Sequence, residues 1–218
     1  MNKKVKSLLL VLCAIVFFAS GIFATLAWFN SQDKVQNTFS IGNVEITLDE
    51  TDVDEYGAPI PDASARVDQN EYLVIPGHTY TKDPIIHVSK ESQPAYLFVR
   101  IDNPLEFFED ETTIHNQMIA KGWALADNNT HKGLYVKMND GAYEVIDARL
   151  AAKDVEVFDT IKIHSKWDYN SFSEFHDAPA EVNVTAFAIQ QDQVDEDEAL
   201  RQAIATLYPT PADPGEGE

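Results

Sequence analysis

The chain has 218 residues, 44% of them hydrophobic, enough for one packed domain, and no second composition regime marks another. Basic residues number 16 against 36 acidic ones, a formal net charge of −20, and such a surface excludes nucleic acid and anionic lipid as partners. The single cysteine, Cys13, lies inside an apolar run, so the remainder of the chain has no disulfide to stabilise it.

The opening MNKKVKS is a positively charged n-region, and LLLVLCAIVFFASGIFA after it is an unbroken apolar run. Together they predict a signal peptide over residues 1–27. Cleavage between Ala27 and Trp28 puts Thr25 and Ala27 at the two small-residue positions, whereas cleavage after Ala24 puts bulky Ile22 at the inner one. Removal of 1–27 takes Lys3, Lys4 and Lys6 with it and leaves 13 basic against 36 acidic residues, a charge of −23. From Leu8 to Phe29 the run is also long enough to span a bilayer, so an uncleaved anchor is the alternative. Lipidation of Cys13 is disfavoured by Leu12, which stands where a small residue is needed.

After the signal the pattern turns to alternation. Phe39 and Ile41, then Val44, Ile46 and Leu48, predict strand from the start of the mature chain, with a bulge or bend at Gly42-Asn43. Residues 49–70 are polar and acidic and broken by Gly57, Pro59 and Pro61, which predicts a solvated loop. Asp52, Asp54 and Gly57 loosely match a calcium loop, but Tyr56 and Ala63 stand where an EF-hand needs oxygen ligands. Strands follow at about 72–75, 79–89 and 95–102, with Pro76-Gly77 as a turn and Pro84 tolerated only at an edge or bulge. His78 and His87 fall in or beside these strands without a carboxylate at ligand spacing, which makes them surface or turn residues.

Phe107, Phe108, Ile114, Met118, Ile119 and Trp123 approach helical spacing and predict a short helix over about 113–121, ended by Gly122. Leu134, Val136 and Met138 alternate into Asn139-Asp140-Gly141, and Tyr143 and Val145 alternate out of it, the strongest hairpin signal in the chain. A strand over about 154–163 and a last one over 181–190 are predicted by the same periodicity. The run Asp195-Glu196-Asp197-Glu198 suits the positive end of a helix reaching about Thr206, and residues 209–218 form an acidic, disordered tail.

Eight or so strands, two short helices and no glycine-rich phosphate loop predict an all-β fold, an antiparallel β-sandwich of jelly-roll type over residues 28–208. The polar loop HSKWDYNSFSEFHDAPA holds the metal-ligand candidates His164, Asp168, His176 and Asp177, with Glu174 among them. Their donor types suit zinc, and the alternative is a loop merely rich in polar residues.

ATLAWFNSQDKVQNTFSIGNVEITLDE resembles the export and N-terminal signature of the TasA and camelysin (CalY) family, secreted proteins of Gram-positive bacteria processed by a SipW-type signal peptidase. IPGHTYTKDPIIHV, AYLFVRIDN and VNVTAFAIQ with its acidic helix are similar to blocks that recur in that family, so the likeness covers most of the mature domain. It is weakest over 49–70 and 104–150. The resemblance implies a secreted or cell-surface protein of the biofilm matrix, a fibre subunit or accessory in which the N-terminal segment of one subunit completes the sheet of the next. On this chain the donor strand is Trp28 to Phe39, with Trp28, Phe29, Val35 and Phe39 as its apolar residues. The implied partners are the signal peptidase and either further copies of the chain or a homologous matrix subunit. Membrane contact is implied only through the signal segment before cleavage. A strand freed by cleavage leaves an unpaired edge, and head-to-tail pairing opens into a filament.

Camelysin-type members are also described as metallo-endopeptidases, which makes a cell-surface enzyme the competing reading. The chain has no HExxH: His115 precedes Asn116 and Gln117, His164 precedes Ser165 and Lys166, and His176 precedes Asp177 and Ala178. It has no GxSxG turn and no cysteine after Cys13. A monomeric adhesin sharing the export route is a third reading.

Overall fold

Period-two apolar patterning dominates the chain, and the computed structural model resolves it into strands. The structure describes residues 39–41, 43–61, 66–73, 75–102, 111–127, 130–165 and 182–209, all within the unit Gln36–Glu218. The predicted signal segment and residues 210–218 of the predicted acidic tail lie outside the described residues. Among those described, the order is β1 (Phe39–Ile41), β2 (Ile46–Asp49), β3 (Thr79–Thr81), β4 (Ile85–Val88), β5 (Ala95–Asp102), α1 (Glu111–Ala120), β6 (Trp123–Leu125), β7 (Leu134–Asn139), β8 (Ala142–Tyr143), β9 (Lys153–Glu156), β10 (Thr160–Lys162), β11 (Asn183–Gln190) and α2 (Glu196–Leu207). Strands β1-β11-β5-β7-β6 form the main sheet, with β8 on β7, while β2-β4-β9 and β10-β3 form two smaller sheets. All these pairings are antiparallel except β1 with β11. Among the described residues the class is thus all-β, mostly antiparallel, with two short helices.

Strands β5 and β11 pair along their whole lengths, from Asn183↔Asp102 to Gln190↔Ala95. Both are apolar on successive residues because both of their faces are covered. On one face Leu97, Val99, Ile101, Val184, Ala186 and Ala188 share a core with Ile46, Leu48, Ile86, Val88 and Val155 of the three-stranded sheet. On the other, Tyr96, Phe98, Leu134, Val136, Phe187 and Ile189 pack with Ala199, Ala203 and Leu207 of α2. Those three helix residues recur every four positions, and the two alanines let the helix backbone come close to the sheet. Asp195 caps the helix by accepting from the Glu198 amide at 2.8 Å. Arg100 donates to the Leu207 carbonyl at the other end, its guanidinium 4.4 Å from the Tyr208 ring centre.

The predicted hairpin forms at Asn139-Asp140-Gly141, with φ of +50° at Asp140 and +85° at Gly141, the left-handed pair that a tight turn matched to strand twist requires. Helix α1 forms close to its predicted bounds and buries Ile114 and Met118 beside Trp123. The Gln117 side chain fastens it to β10, accepting from the Asp159 and Thr160 amides and donating to the Thr160 carbonyl.

Four predicted strands are corrected. Residues 72–75 carry no described strand: the Tyr80 hydroxyl donates to the Leu73 carbonyl and accepts from the Ile75 amide, taking backbone bonds a ladder would have used. The predicted 79–89 strand divides at Lys82-Asp83-Pro84, where proline offers no N–H, and the predicted 154–163 strand divides opposite it at 157–159. The Val157 amide donates to the Pro84 carbonyl and the Lys82 amide to the Asp159 carbonyl, so hydrogen bonding continues around the bend. The strand predicted over 39–48 also divides, because β1 belongs to the main sheet and β2 to the three-stranded one.

Gly133 tests the tight approach of β7 to β5. Its φ is +75°, and an added Cβ would lie 2.2 Å from the Ile101 carbonyl oxygen. Gly133→Ala is expected to cost ~1–3 kcal/mol in urea unfolding, with a lower transition midpoint.

Candidate functional site

Among the described residues two regions bear on function, the N-terminal sheet edge and a polar cluster around the loop after β2. At the edge, β1 runs parallel to β11 in the register Phe39↔Phe187, Ser40↔Ala188 and Ile41↔Ile189. Beyond it the chain bends at Asn43, whose amide donates to the Gln190 side chain at 3.2 Å and whose carbonyl accepts from Gln93 at 3.0 Å. The Gly-Asn break therefore marks a change of sheet. Of the predicted donor residues, Phe39 has its backbone in β1; Trp28, Phe29 and Val35 lie outside the described residues, as do Ala27 and the cleavage point.

Of the predicted metal candidates, His164 is described, half-buried just after β10. Asp168, His176 and Asp177 lie outside the described residues, as does Glu174, so that group is not brought together there. Among the described residues no three His, Cys, Asp or Glu side chains are grouped to hold a metal. In the stretch likened to a calcium loop, one Asp54 carboxylate oxygen accepts from the amides of Tyr56 and Ala58, both at 2.9 Å, and so caps a turn.

The segment predicted as a solvated loop is instead fastened to the sheets. Backbone bridges join Glu50 to Val67 and Val53 to Pro59. Glu50 is 0% exposed and Lys82 is 7% exposed, and Lys82 Nζ lies 2.6 Å from Glu50 Oε2. Asn70 completes the group: Nδ2 donates to Glu50 Oε1 at 3.0 Å and to the Thr51 carbonyl at 2.8 Å, while Oδ1 accepts from the Val53 amide at 3.0 Å. Burial, with the nearby charges of Glu50 and Asp83, pushes the Tyr72 hydroxyl pKa well above its ordinary value. One signal for Glu50 was present in the sequence: Val44, Ile46 and Leu48 set an inward phase, and Glu50 occupies its next position.

Outside this group lies a more exposed clamp. Arg66 binds Asp49 at 2.5 Å and Asp83 at 3.2 Å, and the amide and hydroxyl of Thr51 donate to Asp83 at 2.8 and 2.7 Å. His87 is held between Asp49 of β2, 3.0 Å from Nε2, and Asp154 of β9, 2.7 Å from Nδ1. No carboxylate stands at ligand spacing from His87 in the sequence, and both of its partners come from flanking strands far away in the chain. Burial lowers the His87 pKa, but the hydrogen bonds and charges of the two aspartates outweigh it and raise the value above 6.5. Burial likewise raises Asp83, yet Thr51 and Arg66 prevail and hold it below 3.8.

No family model matches the chain, and no solved structure matches it. A stretch of 125 aligned residues is 26% identical to long-chain fatty acid transport protein 5 of Mus musculus, covering 50% of this chain and 18% of that protein. The likeness reaches only a small part of that relative.

The clamp gives a signed pH dependence. His87, raised when folded, contributes fully below pH 6.5 and loses its contribution as pH rises through the folded value. Asp83, held low, contributes above 3.8 and loses its contribution as pH falls through its folded value. Urea midpoints across pH are expected to fall on the alkaline side of a plateau, and His87→Gln is expected to flatten that fall. An unchanged slope in the variant assigns it to another group.

Proposed function

We propose that this chain is a secreted or cell-surface structural protein of the TasA and camelysin type, a subunit of an extracellular matrix fibre or an accessory to one. The observation that carries the reading is β1: three residues at the edge of the main sheet, parallel to β11, shortly after the segment read as an export signal. So short a ladder is cheap to open. The β11 edge it covers suits the equivalent strand of another copy, pairing by main-chain hydrogen bonds with side-chain register for specificity. While the apolar segment remains attached, the strand is restrained, and cleavage near Ala27 and Trp28 releases it. The core shared between the main sheet and the two smaller ones supports a jelly-roll sandwich as the finer architecture.

Strand exchange between identical copies repeats one heterologous contact, which propagates as a filament. The mature protein beginning near Trp28 is expected to form filaments visible by electron microscopy, and deletion of residues 28–41 is expected to leave soluble monomers. Equal polymerisation of the truncated protein sinks strand donation. Chelator-sensitive casein cleavage, with zinc retained on dialysis, would establish the peptidase reading instead.

A further inference from the structure

Buried lysine is uncommon, and an ion pair of buried lysine and glutamate recovers its desolvation cost poorly unless every remaining polar atom is satisfied. Here the second oxygen of the same carboxylate is occupied by a carboxamide. We propose that Lys82 and Asn70 join in an intramolecular isopeptide bond, with Glu50 transferring the protons and the Val53 amide binding the oxyanion.

Each part has a geometric basis. Glu50 touches the nucleophile with Oε2, 2.6 Å from Lys82 Nζ, and the leaving group with Oε1, 3.0 Å from Asn70 Nδ2. The carbonyl to be attacked already accepts a backbone N–H, that of Val53 at 3.0 Å, where negative charge develops in the tetrahedral intermediate. The Thr51 carbonyl fixes the carboxamide from the other side at 2.8 Å. Glu50 and Lys82 are almost entirely excluded from solvent, and Tyr72 and Tyr80 meet edge-to-face beside the loop, with ring centres 5.2 Å apart. Little water thereby reaches the Lys82 amine.

The step balances without an outside reagent. A proton moves from the Lys82 ammonium to the Glu50 carboxylate, giving a neutral amine and a carboxylic acid. Nζ then attacks Cγ of Asn70, forming the new carbon–nitrogen bond and placing negative charge on Oδ1. Glu50 gives its proton to Nδ2 and accepts one from Nζ; the Cγ–Nδ2 bond breaks and ammonia leaves. The ammonium, carboxylate and carboxamide become a secondary amide, a neutral carboxylic acid and ammonia. A buried ion pair is replaced by uncharged groups that can hydrogen-bond each other.

The bond would tie the loop after β2 to the residue following β3. No disulfide could do this, as the only cysteine is Cys13. The proposal stands apart from the fibre reading, because a monomer can carry the bond and a fibre can form without it.

Intact mass spectrometry of the denatured full chain, after correction for any processing, is expected to show one ammonia less than the sequence mass. Tandem spectra of a digest are expected to contain a branched peptide joining Lys82 to Asn70. Lys82→Arg and Asn70→Ala are each expected to restore the missing mass, and Glu50→Gln to reduce the branched fraction at least tenfold. A wild-type chain at full mass means that the triad serves only as a buried ion pair, and overturns the proposal. So does ammonia loss without the branched peptide, which is succinimide formation at an asparagine. The wild-type measurement decides the matter even if the variants fail to fold.

Discussion

The fold depends on covering two faces of one ladder. Strands β5 and β11 exchange hydrogen bonds over eight residue pairs and are apolar on both sides, so neither face can be left to water. The two smaller sheets take one face and α2 takes the other. Polar chemistry is thereby displaced to the margins: Arg100 reaches the end of α2, and the charged clusters gather beside the smaller sheets. The acidic excess of the chain sharpens this arrangement, because basic side chains are few. Lys121 serves Glu156 and Asp159 together, at 2.6 and 2.8 Å, and Arg66 serves Asp49 and Asp83.

What could be read from the sequence was local. The Asn-Asp-Gly turn, the apolar, β-branched and aromatic runs through 95–102 and 181–190, and the capped acidic start of α2 each carry their cause within a few residues, and each forms close to its predicted place. The bends were harder, because apolar alternation continues through 79–89 and 154–163 while the hydrogen-bond partners change. Pro84 was visible as an obstacle to pairing; that 157–159 would bend opposite it required knowing which strands pair.

The polar sites were harder still. Glu50 and Lys82 are 32 residues apart, and His87 and Asp154 are 67 apart. Their spacing in the chain resembles no motif, because each side chain is presented by a different strand or loop. The one local clue, an acid in the inward phase of β2, identified a position without naming its counterion. The candidates that did look local in sequence, from His164 to Asp177, fall mostly outside the described residues.

The position of β11 has a consequence for the order in which the chain can fold. This strand lies between β1 and β5, yet it is formed by residues 183–190, and the helix over its far face follows at 196–207. A chain emerging from its N-terminus therefore makes the partners of its central ladder long before the strand that joins them. Until then β5 has an open edge, and the aromatic layer of Tyr96 and Phe98 has no helix above it. Such long-range closure slows folding and prolongs exposure of adhesive surface. The central ladder and the cover over its Tyr96 and Phe98 face are thus completed only by β11 and α2.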